Sequence, residues 1–193
     1  MDMITYTIDA EDRIVSLSDG WDTFAIENQA PDSCLSSGVL NRRIWDFISD
    51  LETRHLYQVI NGSVRSSGRP VTVPFRCDAP DRRRFLEMKI VSAKQKQIEY
   101  KSALIREEPR EPVALLMAGI SRSDELVKMC SMCKQVNLPD GAWVEAEVAI
   151  AGMRLFEKST LPGISYGICP KCYKVALAEI EEYLAKQAGK GAD

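Results

Sequence analysis

Apolar residues alternate with polar ones at Ile4, Tyr6 and Ile8, pause through Asp9-Ala10-Glu11-Asp12, and resume in extended fashion from Ile14 to Leu17. A period of two broken by a polar turn predicts a β-hairpin, because successive strand side chains point to opposite faces. Ser18 or Asp19 is placed to cap a short helix that buries Trp21, Phe24 and Ala25, and a loop-like stretch runs from Asn28 to Gly38. A second short helical piece covers residues 44–48. Ser49 or Asp50 then caps the longest helix of this half, whose apolar face is Leu56, Val59, Ile60 and Val64, with Gly68 and Pro70 ending it. Strands are expected over Val71–Cys77, around Leu86, Met88 and Ile90, and over Ile98–Ile105, with Asp78-Ala79-Pro80-Asp81 as the intervening turn.

Two strands, several helices and three further strands make an α+β layout, a five-stranded antiparallel sheet with helices gathered on one face. The segments IDAEDRIVSLSDGW, ETRHLYQVINGSVRSSGRPV with its Gly-x-Pro exit, and VPFRCDAPDRRRFLEMKI stand in the order found in PAS domains. This half, roughly residues 3–107, resembles that family of small bacterial sensor domains. The resemblance implies a sensing or protein-binding role and a cavity beneath the sheet.

Glu107-Glu108-Pro109-Arg110-Glu111-Pro112 is charged and carries two prolines, which suits a domain exit. The expected division is a sensor-like domain over 1–120 and a second unit over 121–193. In that unit Ser123 is placed to cap a helix running into Cys130, residues 138–141 form a turn, and Trp143–Phe156 reads as helical. A final helix, Pro170–Gln187, would put Tyr173, Leu177, Ile180 and Leu184 on one face and offer a surface for dimerisation or a partner's helix. The second unit is thus expected to be mainly helical.

MCSMCK and ICPKCY contribute two C-x-x-C pairs, Cys130 with Cys133 and Cys169 with Cys172, separated by 35 residues. Each pair presents two sulfurs from a tight turn, and four thiolates complete a tetrahedron around one Zn²⁺. Such a site is closed, so it is structural. A redox dithiol and an iron–sulfur cluster use the same residues and stand as rivals. The order C-x-x-C-K, Asp140-Gly141-Ala142-Trp143, then Ser165-Tyr166-Gly167-Ile168-Cys169-Pro170-x-Cys172 is similar to a cysteine tail that follows PAS domains in some bacterial sensors. A histidine often stands there where this chain has Tyr166, so that possible extra ligand is missing.

The formal charge of −3 and the absence of a basic domain argue against nucleic acid as a partner, and four thiolates on a divalent cation make the chain more negative still. The opening MDMITYTIDAED lacks a basic cap ahead of an apolar run, and no stretch approaches a membrane span, so a cytoplasmic protein is expected. No phosphate-cradling glycine loop or catalytic signature stands out, and His55 is the sole histidine, which points away from an enzyme. Trp21, Phe24, Trp45, Phe47, Phe75 and Phe85, with His55, are the candidates to line a ligand cavity, although aromatics at such positions also simply fill cores. Neither haem nor flavin is expected. Arg82-Arg83-Arg84 is a basic hairpin tip, either solvated or open to an acidic partner. These features suit a non-enzymatic signalling sensor or adaptor, homodimeric or bound to a protein partner; the alternatives are a redox- or metal-responsive regulator and a haem- or flavin-binding sensor.

Overall fold

The computed structural model describes residues 3–178. Strands β1 (Ile4–Ile8) and β2 (Ile14–Leu17) form the expected hairpin. Asp9 Oδ1 accepts the N–H groups of Glu11 and Arg13 at 3.0 and 2.8 Å, and Asp12 takes a left-handed backbone (φ 62°), a conformation that aspartate tolerates in turns. Helices α1 (Trp21–Glu27), α2 (Ser36–Val39) and α3 (Leu51–Ser67) precede strands β3 (Val71–Arg76), β4 (Arg82–Ser92) and β5 (Ile98–Pro109). α3 starts at Asp50, whose carboxylate accepts the Thr53 N–H at 2.8 Å, and stops at Gly68 with φ 69°.

The sheet is antiparallel throughout with the order β2-β1-β5-β4-β3. Its inner face carries Ile8, Ile90, Ile98 and Tyr100, which pack against Leu56, Ile60 and Val64 of α3 in one core. Its outer face carries Thr5, Thr7, Glu87, Lys89, Glu99 and Lys101, a polar surface that one layer of helices leaves to solvent. Inside the core the Tyr100 hydroxyl donates to Asn61 Oδ1, which satisfies two polar groups that burial would otherwise penalise.

β5 runs through the stretch expected as a linker. Glu107, Glu108 and Pro109 lie opposite Arg84, Arg83 and Arg82, so opposite charges across the ladder keep the strand going, and the edge-most Pro109 needs no N–H there. Val113 and Leu115 then turn inward as the start of a second core.

The mainly helical second unit expected from the sequence is corrected: residues 121–178 are built on a second sheet, ordered β8-β7-β6-β9. β6 (Arg122–Cys130) replaces the helix expected from Ser123, and the Ser123 hydroxyl caps nothing. The reason is a period of two: Val127 and Met129 point into the second core while Leu126 and Lys128 point out. β6 pairs antiparallel with β7 (Val136–Asn137) and parallel with β9 (Leu161–Gly167). The helix expected over Trp143–Phe156 shrinks to α4 (Ala146–Gly152), because Trp143 and Val144 are taken by β8 (Trp143–Val144), paired to β7. Residues 170–178 form helix α5, with Tyr173 and Leu177 partly buried; the rest of the expected final helix, including Ile180 and Leu184, lies outside the described residues.

The junction between the two sheets is held by charge. Arg76 at the end of β3 hydrogen-bonds both Asp78 and Glu145, and Arg83 and Arg110 reach Glu147 at 2.8 and 3.2 Å. The basic hairpin tip is therefore spent within the chain, since Arg82 pairs with Asp81 and Glu107, and Arg84 with Asn28. Burial alone would raise the pKa of Glu147, but hydrogen bonds from its own N–H and from Arg83, with the charges of Arg83 and Arg110, outweigh it and lower the pKa. A depressed folded-state pKa stabilises fully above the unfolded value of about 4.3 and is lost as pH falls through the lower folded value. Glu147→Gln should thus cost about 1–2 kcal/mol at neutral pH and nothing in strong acid, as read from melting temperature against pH.

Candidate metal centre

The four predicted ligands come together. Cys130 ends β6, Cys133 closes the following turn, Cys169 follows β9, and Cys172 sits in the first turn of α5. All four Sγ atoms lie within 4.8 Å of one another, and Cys133 Sγ is 3.8 Å from Cys169 Sγ. A regular tetrahedron with metal–sulfur bonds of about 2.3 Å has edges of about 3.8 Å, so the donors already fit such an ion.

Local backbone chemistry explains the convergence. The parallel pairing of β6 with β9 sets Cys130 opposite Gly167 and brings both turns to the same end of the sheet. Lys134 adopts φ 60° and donates its N–H to the Cys130 carbonyl, tightening the first turn, while Ser131 N–H donates to the Gly167 carbonyl at 2.6 Å and straps the two turns together. In the second turn Pro170 opens α5, where its missing N–H costs nothing. The N–H groups of Cys169 and Cys172 donate to the sulfurs of Cys130 and Cys169 at 3.3 and 3.4 Å, and the first of these helps to favour the Cys130 thiolate.

The sulfurs divide into two environments. Cys130 and Cys169 are buried, at 0% and 1% exposure, whereas Cys133 and Cys172 are half-buried. Hydrogen bonds from Cys133 and Cys172 pull the Cys130 pKa far down, while the bond to Cys130 pushes Cys133 up to about 12 and Cys172 higher still. Ligation of all four sulfurs by a divalent cation therefore releases the thiol protons.

The centre also abuts the first half of the chain. Cys130, Met132, Ile168 and Cys169 belong to the same buried cluster as Leu56, Ile60 and Val73, and the Arg76 N–H donates to the Met132 carbonyl at 2.7 Å. A Cβ at Gly167 would overlap Lys128 Cε and stand 3.1 Å from Asp50 Oδ1, so the second turn passes close to the start of α3 and to the Lys128 side chain.

No family model matches the chain. No curated protein matches it either. Among solved structures, a domain of an HTR-like protein from Haloarcula marismortui aligns at 9% identity with a TM-score of 0.33, covering 54% of this chain and 98% of that one.

The aromatic candidates scatter. Trp21, Phe24 and Phe75 wall a cavity of about 190 Å³ against the inner face of the sheet, together with Cys77. Phe47 walls a different one. Trp45 anchors its indole N–H on Asp12 Oδ2 at 2.9 Å, and Phe85 lies beneath the guanidinium of Arg106, 4.2 Å from its ring centre. His55 is exposed on α3 and is not a wall of either cavity. Tyr166 stands outside the sulfur cluster with Lys134 Nζ 5.4 Å from its ring centre. Sequence reading missed Ser131 and the Arg76–Asp78–Glu145 group; for the latter, no local pattern links residues 69 positions apart. Among the described residues no helix is long and apolar enough to cross a membrane.

Proposed function

We propose that the chain is a non-enzymatic cytoplasmic sensor or adaptor in signal transduction, with a PAS-like half that senses or binds and a structural zinc centre that shapes the surface offered to a protein partner. The sheet order β2-β1-β5-β4-β3, with the three α-helices α1, α2 and α3 lying between β2 and β3, supports the PAS-like reading. The observation that carries the rest is the sulfur quartet: four thiolates fill a tetrahedral shell and leave no position where a substrate could coordinate. Zinc suits it best, because that ion accepts an all-sulfur tetrahedron and needs no redox partner. When bound, it supplies a rigid cross-link between β6 and the start of α5.

A zinc centre inserted against the sensor core links the two units, with a boundary near residue 120, so that a change in one is felt by the other. The partner is another signalling protein or a second copy of the chain. Light scattering of the zinc-loaded protein should give a dimer, or a pull-down should recover a partner whose binding needs intact cysteines. An invariant monomer that captures no partner in a cysteine-dependent way would remove the adaptor reading.

A further inference from the structure

We propose that the cavity enclosed by the start of α3, the sheet and the cysteine turns binds a small neutral aromatic molecule carrying an N–H or O–H donor, and that its occupancy is coupled to the metal centre. The proposal deepens the sensor reading by naming the class of ligand.

This cavity, at about 310 Å³, is larger than the one beside Trp21, and Tyr6, Phe47, Tyr57 and Tyr166 supply four rings to its walls. Rings of this kind favour a flat partner in offset or edge-on contact. The hydroxyls of Tyr6 and Tyr57 have no hydrogen-bond partner among the described residues, and burial raises both pKa values, that of Tyr57 to about 12, so both remain neutral groups able to donate or accept.

Charge selects against ionic ligands. Asp50 is the one charged residue in the wall, and no Lys, Arg or His joins it there, which disfavours an anion. A cation is disfavoured because the groups that would hold it are already engaged: Lys128 Nζ ion-pairs with Asp50 Oδ1 at 3.7 Å, Lys134 Nζ is 5.4 Å from the Tyr166 ring centre, and the Arg42 guanidinium is 4.7 Å from that of Phe47. Asp50 Oδ2 is occupied by the N–H and hydroxyl of Thr53 at 2.8 and 2.7 Å. Oδ1 accepts no hydrogen bond among the described residues, since 3.7 Å is beyond hydrogen-bond reach. A neutral ring whose N–H or O–H donates to Oδ1 answers all these conditions.

The coupling follows from who owns the wall. Ser131 lies between Cys130 and Cys133, Tyr166 lies three residues before Cys169, and both line the cavity. A ligand touching both turns binds differently when they are held by a metal than when they are not, and linkage makes the effect mutual.

The test uses the full-length, zinc-loaded chain with indole and phenol as probes, and benzylamine and benzoate as charged counterparts, followed by calorimetry. Saturable one-to-one binding of indole or phenol is expected, with the charged compounds about tenfold weaker or worse. Ser49→Phe plugs the exposed mouth and should weaken indole about tenfold without moving the melting curve; should it fail to fold, Tyr57→Phe is expected to weaken binding about threefold in a folded chain. Saturating indole should slow zinc transfer to a chelator about threefold. No saturable binding, equal affinity for benzylamine or benzoate, or indifference to both substitutions overturns the cavity assignment. An unchanged transfer rate overturns the coupling. A chain that takes up no metal yet binds indole overturns the zinc reading and the coupling while upholding the cavity, so the two failures are distinguishable.

Discussion

Stripping the proposed zinc with a chelator should unfold the cysteine-bearing segment, residues 121–178, and loosen α3 and β3 with it. Cys130, Met132, Ile168 and Cys169 are part of the core that holds Leu56, Ile60 and Val73, so losing the cross-link removes one wall of that core. Structural zinc contributes on the order of 10 kcal/mol or more in small finger domains. If even about 4 kcal/mol of this reaches the folded chain, the melting temperature falls by roughly 8–16 °C. Hydrogen exchange resolved along the sequence is the appropriate measurement. Protection lost from both the cysteine segment and the inner face of α3 is the expected pattern. Loss confined to residues beyond Arg122 would show that the two cores are mechanically separate.

Arg76→Ala should destabilise the chain by about 3 kcal/mol, more than any other single change at the junction of the two sheets. Burial works against the Arg76 charge, yet hydrogen bonds to Asp78 and Glu145 outweigh it and raise the pKa of the guanidinium. The Asp78 side chain is only 1% exposed, so removing Arg76 leaves a buried carboxylate that water cannot reach. Arg110, 3.2 Å from Asp78 Oδ2, keeps part of the compensation, which is why the expected loss stands at the lower end for a broken buried pair. Arg76→Ala combined with Asp78→Ala should recover part of it, because no charge is then stranded. Denaturant unfolding of the two variants measures the difference. A double variant no more stable than the single one would place the loss in packing against Phe85 instead.

What the sequence revealed follows the range of the interactions involved. The β1–β2 hairpin, α3 and the β3–β4 hairpin are set by neighbours: Asp9 folds its own turn, Asp50 caps its own helix, and Gly68 ends it. The cysteine quartet was legible for a different reason, since paired thiols at C-x-x-C spacing carry their chemistry wherever the chain takes them. β6 was not legible as a strand. Its Glu125-Leu126-Val127-Lys128 run is composed of residues that helices also accept, and the parallel partner that makes it a strand, Leu161–Gly167, lies far along the chain. The continuation of β5 through Pro109 was hidden in the same way, because its charges read as a linker until the register sets them opposite Arg82, Arg83 and Arg84. The aromatic candidates divide by tertiary contacts that their spacing does not show: Trp21, Phe24 and Phe75 share a cavity, Phe47 joins another with Tyr6 and Tyr57, Trp45 hydrogen-bonds Asp12, and Phe85 lies under the Arg106 guanidinium.

Sulfurs from two distant turns are expected to share one ion. Metal analysis of the freshly purified chain combined with X-ray absorption at the metal edge tests it directly. One zinc per chain surrounded by four sulfurs at about 2.3 Å is the expected result. A chain that carries no metal, or an ion whose shell holds nitrogen or oxygen in place of any of Cys130, Cys133, Cys169 and Cys172, would contradict it.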